Sequence, residues 1–410
     1  MKTFEKKLDD YAELIIKTGL NIQKDQDLIL TAPVSSIDFV RIITKKAYLS
    51  GVKEIYYRWY DDELSLIRYT NASDSIFDSF PDWMSNGYTQ VVKEGAAILS
   101  IFVSDPGLLK DVEPDKIKRD ALTKSKAFKE YKDHIMNGGN NWCVVSVPSI
   151  PWAESIFKDG KPKEKMEKLW DTIFKINRID FADPVKAWNE HFEKLEKFKV
   201  YLNEKQFTKL YYKGNGTDLT VELPAGHIWQ GGNEKTNSGL VFAANIPTEE
   251  VFSLPHKYGV NGVLSSTMPL EYNGNIIDNF KFYFENGKIV NFEAEKGYDI
   301  LKNLLDSDEN SRYLGEVAIV PVSSPIYKTG LIFYNTLYDE NASCHFALGS
   351  AYPNCIEGGE TMTPEERDKN GVNESIIHVD FMVGNENLNI DGETESGELI
   401  PVFRNGEWVI

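Results

Sequence analysis

The sequence predicts an α/β domain built from βαβ units, followed by a mostly antiparallel α+β domain. At 410 residues the chain is too long for one hydrophobic core, so two domains are expected. In the first half, apolar segments of strand length alternate with amphipathic segments of helix length, which is typical of parallel βαβ units. From residue 199 onward, apolar residues alternate every second position between turns, which indicates antiparallel strands. We therefore predict domains at 1–185 and 186–410.

The first domain is predicted to contain two repeats of the strand–helix–strand pattern. An amphipathic helix opens the chain and ends at Gly19, and a helix capped by Ser35 or Ser36 ends at Gly51. The predicted helices are 4–18, 36–50, 114–134 and 163–176, and the predicted strands are 28–30, 54–59, 96–102 and 142–147. Neither GxGxxG nor GxxxxGK[ST] follows any of these strands. We therefore expect a scaffold and gating domain, with no nucleotide site.

The second domain is predicted to be rich in hairpins. A helix that begins at Pro184 marks the junction, and Asn286-Gly287 suits a tight primed turn between two apolar strands. The predicted strands and hairpins are 200–202, 208–212, 219–223, 280–292, 388–393 and 402–408. Helical patterns appear at 294–305 and at 345–348.

The charge of the chain argues against two classes of partner. With 63 acidic and 45 basic residues, the formal net charge is −18. Nucleic acids and anionic membranes are bound by basic patches, so we expect neither as a partner.

The first ten residues lack the apolar core of a signal peptide, and no segment approaches the length of a membrane span. Three cysteines without CxxC spacing do not suggest a disulfide framework, so we expect a cytoplasmic protein.

The second domain contains isolated charged residues inside apolar segments. Carboxylates are rarely buried unless they are paired or bind a metal, so several of them together are best explained by a shared cation site. The segments concerned are Asn245–Phe252, Leu314–Ala318, Asp339–His345, Gly349–Tyr352 and Ile377–Phe381. The helical HExxH and HxxEH zinc motifs and the GxSxG elbow are absent from the sequence.

Several candidate residues also have a plainer interpretation. In His378-Val379-Asp380, a strand places imidazole and carboxylate on one face, where they form either a metal site or a simple hydrogen bond. Glu316 is either a ligand or an exposed carboxylate on a strand. The pair Glu249-Glu250 either faces a cation or starts a solvated helix capped by Thr248.

Four of these motifs closely resemble the aminopeptidase T / aminopeptidase S family of bacterial dinuclear-metal aminopeptidases. The motifs are Asn245–Phe252, Leu314–Ala318, Asn341–Tyr352 and Ile377–Gly384, and the resemblance extends over the whole chain. It implies that two divalent ions per subunit are held by Glu250, Glu316, His345, His378 and Asp380, with Glu340 as a sixth ligand and Tyr352 as an active-site tyrosine.

The resemblance further implies zinc or cobalt, with manganese or magnesium as other choices, because oxygen and nitrogen ligands do not select among them. It implies a homodimer and peptide substrates with a free N-terminus. Two ions suit amide hydrolysis, for which Glu249 is our candidate base and Tyr352 our candidate donor to the oxyanion.

Two alternatives remain at the level of sequence. The first is another dinuclear amide hydrolase, such as an amidase or a carboxypeptidase. The second is a metal-stabilised module that binds peptides without turnover, because alternating apolar strands alone do not distinguish binding from catalysis.

Overall fold

The N-terminal part of the chain alternates strands with helices. A computed structural model describes residues 2–272 and 275–410. The elements up to residue 205 are α1 (Phe4–Leu14), β1 (Leu28–Pro33), α2 (Ile37–Leu49), β2 (Ile55–Tyr60), α3 (Asp62–Asn71), α4 (Asp82–Lys93), β3 (Ala97–Phe102), α5 (Pro114–Ala127), α6 (Lys129–Met136), β4 (Trp142–Ser146), α7 (Ile150–Ile156), α8 (Pro162–Ile176) and α9 (Pro184–Lys205).

The remainder of the chain consists mostly of strands. Its elements are β5 (Lys209–Gly214), β6 (Thr217–Glu222), β7 (Glu234–Lys235), β8 (Val241–Phe242), β9 (Asn245–Ile246), β10 (Val251–Ser253), β11 (Val260–Ser265), β12 (Leu270–Tyr272), β13 (Asn275–Glu285), β14 (Lys288–Lys296), α10 (Tyr298–Leu305), β15 (Leu314–Ile319), α11 (Thr336–Asp339), β16 (His345–Gly349), α12 (Pro364–Lys369), β17 (His378–Met382), β18 (Asn389–Glu393), β19 (Leu399–Arg404) and β20 (Glu407–Trp408).

A five-stranded sheet in the order β2-β1-β3-β4-β9 forms the first part of the fold. All four of its strand pairs are parallel, which confirms the predicted βαβ organisation. The central strand β3 is an almost continuous buried apolar segment, as expected for a parallel sheet with elements on both faces.

A nine-stranded antiparallel sheet lies in the second part, in the order β12-β13-β11-β6-β5-β18-β19-β20, with β14 paired to β13. The predicted hairpin turn is present between β13 and β14. Asn286 and Gly287 have φ values of 48° and 80°, as a primed turn requires. The mixed parallel and antiparallel architecture therefore agrees with the predicted fold class.

A four-stranded antiparallel sheet in the order β10-β15-β16-β17 carries the candidate site residues. Every residue of β15 and β16 is buried. The helix predicted at 345–348 is therefore wrong, because this segment is the strand β16. A strand buried on both faces is a short apolar segment that periodicity alone does not distinguish from a helix.

Other predicted boundaries also differ from the structure. The strand predicted at 200–202 is wrong, because α9 continues to Lys205 and Leu202 extends its buried stripe. The helix predicted at 294–305 begins only at Tyr298, after β14. The segment at 388–393 is one strand instead of a hairpin, since Asp391 and Gly392 both pair with β5. The second of the predicted hairpins is present as β19 and β20.

The chain separates into two compact units. The first extends to His191 and includes Asn233–Pro247, and the second comprises Phe192–Gly232 and Thr248–Ile410. The predicted roles of 1–185 as scaffold and 186–410 as metal-binding domain stay predictions. Across residues 2–272 and 275–410, no helix combines the length and the apolarity needed to cross a membrane.

Candidate metal centre

Strand register brings the predicted site residues to one face of the four-stranded sheet. Glu316 lies opposite Ala347, which in turn lies opposite Asp380. His345 is two residues before Ala347, and His378 is two residues before Asp380. Because side chains alternate along a strand, all four functional groups share this face.

Glu250 joins these four residues from the segment just before β10. Thr248, Glu249 and Glu250 are not helical, so the alternative of a capped helix start is wrong. Glu316 is 4% exposed, so the alternative of an exposed strand carboxylate is wrong as well.

The carboxylate of Glu316 lies between two histidines. Its Oε1 is 3.3 Å from His345 Nε2, and its Oε2 is 3.4 Å from His378 Nε2. Glu250 Oε2 lies 3.2 Å from His345 Nε2, and Asp380 Oδ1 lies 3.4 Å from His378 Nε2. Two potential three-ligand groups result, and they have Glu316 in common. In each group the ligand atoms lie within 4.8 Å of one another.

The electrostatics of the cluster favour positive charge. Burial alone would lower the pKa of His345, but Glu250 and Glu316 raise it well above its usual value. Burial likewise opposes protonation of His378, yet Asp380 and Glu316 raise the pKa of this imidazole. Burial would raise the pKa of Glu316, but hydrogen bonds from both histidines bring it below its usual range.

These residues fit divalent cations. Burial raises the pKa of Glu250, and repulsion from Glu316 and Asp380 adds to it. Within residues 2–272 and 275–410, these carboxylates form ion pairs with histidine and with no lysine or arginine. Buried carboxylates in such a setting are stabilised by a cation, and oxygen with imidazole nitrogen is a donor set that divalent metals bind.

Glu340 lies close to both groups without being part of either. Burial and then the charges of Glu250 and Asp380 raise the pKa of Glu340 well above its usual value. Asn341, which is fully buried, donates from Nδ2 to Glu340 Oε1 at 3.3 Å. Sequence reasoning missed Asn341, although it directly follows the candidate ligand.

Glu249 is 4% exposed, and its backbone N–H donates to Asn341 Oδ1 at 2.7 Å. Asn341 therefore connects the segment that carries Glu249 and Glu250 to the segment that carries Glu340. The carboxylate of Glu249 is not a member of the two three-ligand groups.

Tyr352 lies between β16 and a short 3₁₀ turn that begins at Pro353. Its ring centroid is 4.8 Å from that of His378 and 5.8 Å from that of Phe252. Burial, followed by the charges of Glu316 and Asp380, raises the pKa of Tyr352 well above its usual value. The hydroxyl group therefore remains a neutral hydrogen-bond donor beside the cluster.

A cleft adjoins the cluster within the second unit. Six of the residues that line it are Leu270, Glu271, Tyr334, Glu340, Asp380 and Met382. Tyr334 has a φ of 51°, a left-handed conformation that costs energy for a residue with a side chain. The carboxylate of Asp339 shapes this loop by accepting from the N–H groups of Phe333 and Asn335, at 2.8 and 3.0 Å.

Backbone groups orient both histidines. His378 Nδ1 lies 2.7 Å from the carbonyl oxygen of Ser350, and His345 Nδ1 lies 3.3 Å from that of Ser343. Because a carbonyl oxygen only accepts, each Nδ1 must donate, so Nε2 is the ring nitrogen that faces the carboxylates and that would bind a metal after losing its proton. No sequence motif reveals these contacts, because main-chain carbonyls are present at every residue.

Comparisons with known proteins identify the family of the chain. The family model described as thermophilic metalloprotease (M29) matches residues 4–408. The chain is 48% identical to Aminopeptidase 2 of Geobacillus stearothermophilus, over 100% of this chain and 99% of that protein. It is 46% identical to Aminopeptidase AmpS of Bacillus subtilis (strain 168), over the full length of both.

A solved structure, wild-type AmpT from Thermus thermophilus, superposes with a TM-score of 0.94 at 40% identity and covers 100% of both chains. The family match over residues 4–408 and the identities of 40–48% establish the family of the chain. The resemblance of the four motifs predicts the same relationship. The chain belongs to the thermophilic metalloprotease (M29) family.

Proposed function

We propose that the protein is an aminopeptidase that uses two divalent metal ions to release N-terminal residues from peptides. The observation that carries this proposal is the position of Glu316, whose two oxygens face different histidines and so belong to two ligand groups. The names of the relatives, which are aminopeptidases, support the same activity.

We assign the first ion to Glu250, Glu316 and His345, and the second to Glu316, His378 and Asp380. Bound there, divalent ions lower the pKa of a coordinated water and polarise a scissile carbonyl. Zinc and cobalt are our first choices, with manganese and magnesium next, because the donor set does not exclude them.

The protein's own groups complete the reaction. Glu249 is our candidate base, which accepts the proton of the attacking water and delivers it to the leaving nitrogen. The Tyr352 hydroxyl donates a hydrogen bond to the oxyanion as it forms. Glu340 belongs to neither ligand group, and its buried carboxyl group accepts a hydrogen bond from the free α-amino group of the substrate.

The cleft beside Glu340 and Asp380 gives the N-terminal residue of a peptide a place next to these carboxylates. We further propose a cytoplasmic homodimer that acts on peptides and binds neither nucleic acid nor membranes, in keeping with the net charge of −18.

The test uses one chromogenic amino-acid amide and its N-acetylated form, each with and without added metal. We expect the chelated protein to be inactive toward both compounds. Added zinc or cobalt should restore hydrolysis of the amino-acid amide, whose α-amine is free, and not of its N-acetylated form. Full activity in metal-free protein would refute the proposal.

The same assay separates the alternatives. Hydrolysis of the N-acetylated amide would favour another dinuclear amide hydrolase. Metal-dependent binding of the unacetylated amino-acid amide without its hydrolysis would favour a peptide-binding module.

A further inference from the structure

The turn that follows β16 connects to two candidate site residues. Its Ser350 carbonyl oxygen accepts from His378 Nδ1 at 2.7 Å, and Tyr352 follows Ala351 directly. The position of this turn therefore affects both the direction in which His378 presents Nε2 and the place of the Tyr352 hydroxyl.

Asn373 holds this turn at both ends. Its side-chain Nδ2 donates to the carbonyl oxygen of Gly349 at 2.6 Å, and its main-chain carbonyl accepts from Ala351 N–H at 2.8 Å. The same Nδ2 also donates to the carbonyl oxygen of Asn310 at 3.0 Å. Asn373 is fully buried, so water does not replace these bonds if they are lost.

The turn is packed too tightly to shift without consequence. Gly349 has a φ of 96°, a conformation that favours glycine. A Cβ at Gly315 would lie 2.3 Å from the Ser350 carbonyl oxygen, so the backbone of the turn lies directly against the residue that precedes Glu316.

We propose that Asn373 is a positioning residue of the metal centre. Its amide and its carbonyl fix the turn from Gly349 to Ala351. This turn orients His378 so that Nε2 faces Glu316 and Asp380. It also places Tyr352 beside these three residues. This inference rests on the proposed function of His378 and Tyr352.

The chain offers a matched control for this residue. Asn140 in the first unit is 2% exposed, and its Nδ2 donates to the carbonyl oxygens of Val92 and Ala96, both at 2.8 Å. It has the same chemistry and burial as Asn373, and both of these hydrogen bonds lie within the first unit. A purely structural role for Asn373 predicts the same consequences for both substitutions.

The experiment compares Asn373→Ala with Asn140→Ala in the full-length protein. We expect both variants to lower the melting temperature of the metal-free protein. Only Asn373→Ala should also raise the metal dissociation constant and lower kcat, each by about 10–100-fold, with KM little changed. Competition with a chelating dye measures the metal affinity independently of activity.

A second variant, Asn373→Asp, keeps the volume of the side chain and replaces the donor that faces Gly349 with an acceptor. We expect the same losses of metal affinity and kcat. Unchanged metal affinity and kcat in a folded Asn373 variant would overturn the inference. Equal losses in Asn140→Ala would do so as well, as would failure of both Asn373 variants to fold while Asn140→Ala folds. A wild-type protein that binds no metal would instead refute the proposed function, and the wild-type measurement alone would show it.

Discussion

Glu316 is the side chain whose loss should disturb the candidate metal centre most, because its two oxygens face different histidines. In Glu316→Gln, a neutral amide cannot offset the charge of two cations. We expect the bound metal to be lost. Activity should fall by more than about 100-fold, the largest loss typical when a residue that only orients a metal ligand is mutated. Metal analysis and kcat/KM measure this, and circular dichroism should show an intact fold.

A suitable control for Glu316→Gln is Glu285→Gln, because Glu285 is an exposed strand residue. It should keep the metal content and the activity of the wild type. Two ions still bound by Glu316→Gln with normal kinetics would remove Glu316 from the site.

Tyr352→Phe removes one hydroxyl and keeps the ring that packs on His378 and Phe252. Since loss of one oxyanion donor costs about 10²–10³ in rate, we expect kcat to fall by that factor. KM and metal content should change little. A kcat near the wild-type value would end the catalytic assignment, and loss of metal would make Tyr352 a ligand or a support for one.

The candidate ligands are the part of the site that sequence can predict. Glu316 and His345 stand out as polar residues inside apolar segments, and the family resemblance implies the full set. Asn341 and Asn373 could not be predicted in the same way. Asparagine is ordinary in loops, and Asn373 acts on Gly349, which is distant in sequence. Its role depends on the register of β16 with β17, which periodicity does not determine.

At the scale of elements, Gly315 allows the turn after β16 to lie against β15. A Cβ there would meet the carbonyl oxygens of Ser350 and Gly349 at 2.3 and 2.4 Å. In Gly315→Ala, we expect the turn to move, kcat to fall at least 10-fold, and the free energy of unfolding to drop by about 1–3 kcal/mol.

The control is Gly87→Ala in α4, where a Cβ would meet nothing within 4 Å. This variant should gain up to about 1 kcal/mol in stability, because alanine favours a helix more than glycine does. It should also keep normal activity. Normal kcat in Gly315→Ala would show that the site tolerates movement of the turn.

Asp308 connects the turn before β15 to the segment before β17. Its carboxylate accepts from Ile376 N–H at 2.6 Å and from Ser375 Oγ at 2.8 Å, two and three residues before His378. Burial alone would raise the pKa of Asp308, but these hydrogen bonds lower it. The stabilisation is therefore complete above the unfolded pKa of about 3.9 and is lost as pH falls through the folded pKa.

We expect Asp308→Asn to lower the free energy of unfolding by about 1 kcal/mol at neutral pH, because partial exposure screens the interaction. The difference from the wild type should shrink and then disappear as pH falls through the folded pKa of Asp308, which lies below its usual value. Denaturant titrations across pH measure it, with Glu309→Gln as the exposed neighbouring control. A difference that is constant with pH would contradict the role of the charged carboxylate.

The elements could be predicted where amphipathic periodicity was long or a turn had a clear chemistry, as in α8 and the turn at Asn286-Gly287. They could not be predicted where packing decides. The segment at His345–Leu348 carries mostly apolar residues because β16 is buried on both faces. The helix α9 extends through 200–202, where Leu202 is buried like Leu195 earlier in the same helix. In both cases tertiary contacts override a short local pattern.

At the scale of the whole molecule, the predicted change of apolar period near residue 199 separates most parallel strands from the antiparallel ones. It does not predict that α9 continues to Lys205 or that β9 joins the parallel sheet. The role of individual apolar strands does not follow from that change. Phe280, Phe282 and Phe284 are compatible in sequence with either a subunit contact or a core. The structure buries all three, and Phe282 packs against Phe381 of β17 with ring centroids 5.2 Å apart.

The last prediction concerns assembly. The family resemblance implies a homodimer, so light scattering should give twice the 46.6 kDa of one chain at working concentration. Phe282 is fully buried, so Phe282→Ala should lower the free energy of unfolding by about 3–5 kcal/mol through the cavity that it leaves. Since this residue belongs to a core and not to a subunit contact, the folded variant should keep the dimeric mass. A wild-type monomer would refute the homodimer. A monomeric Phe282→Ala variant of unchanged stability would instead place this strand at the subunit interface.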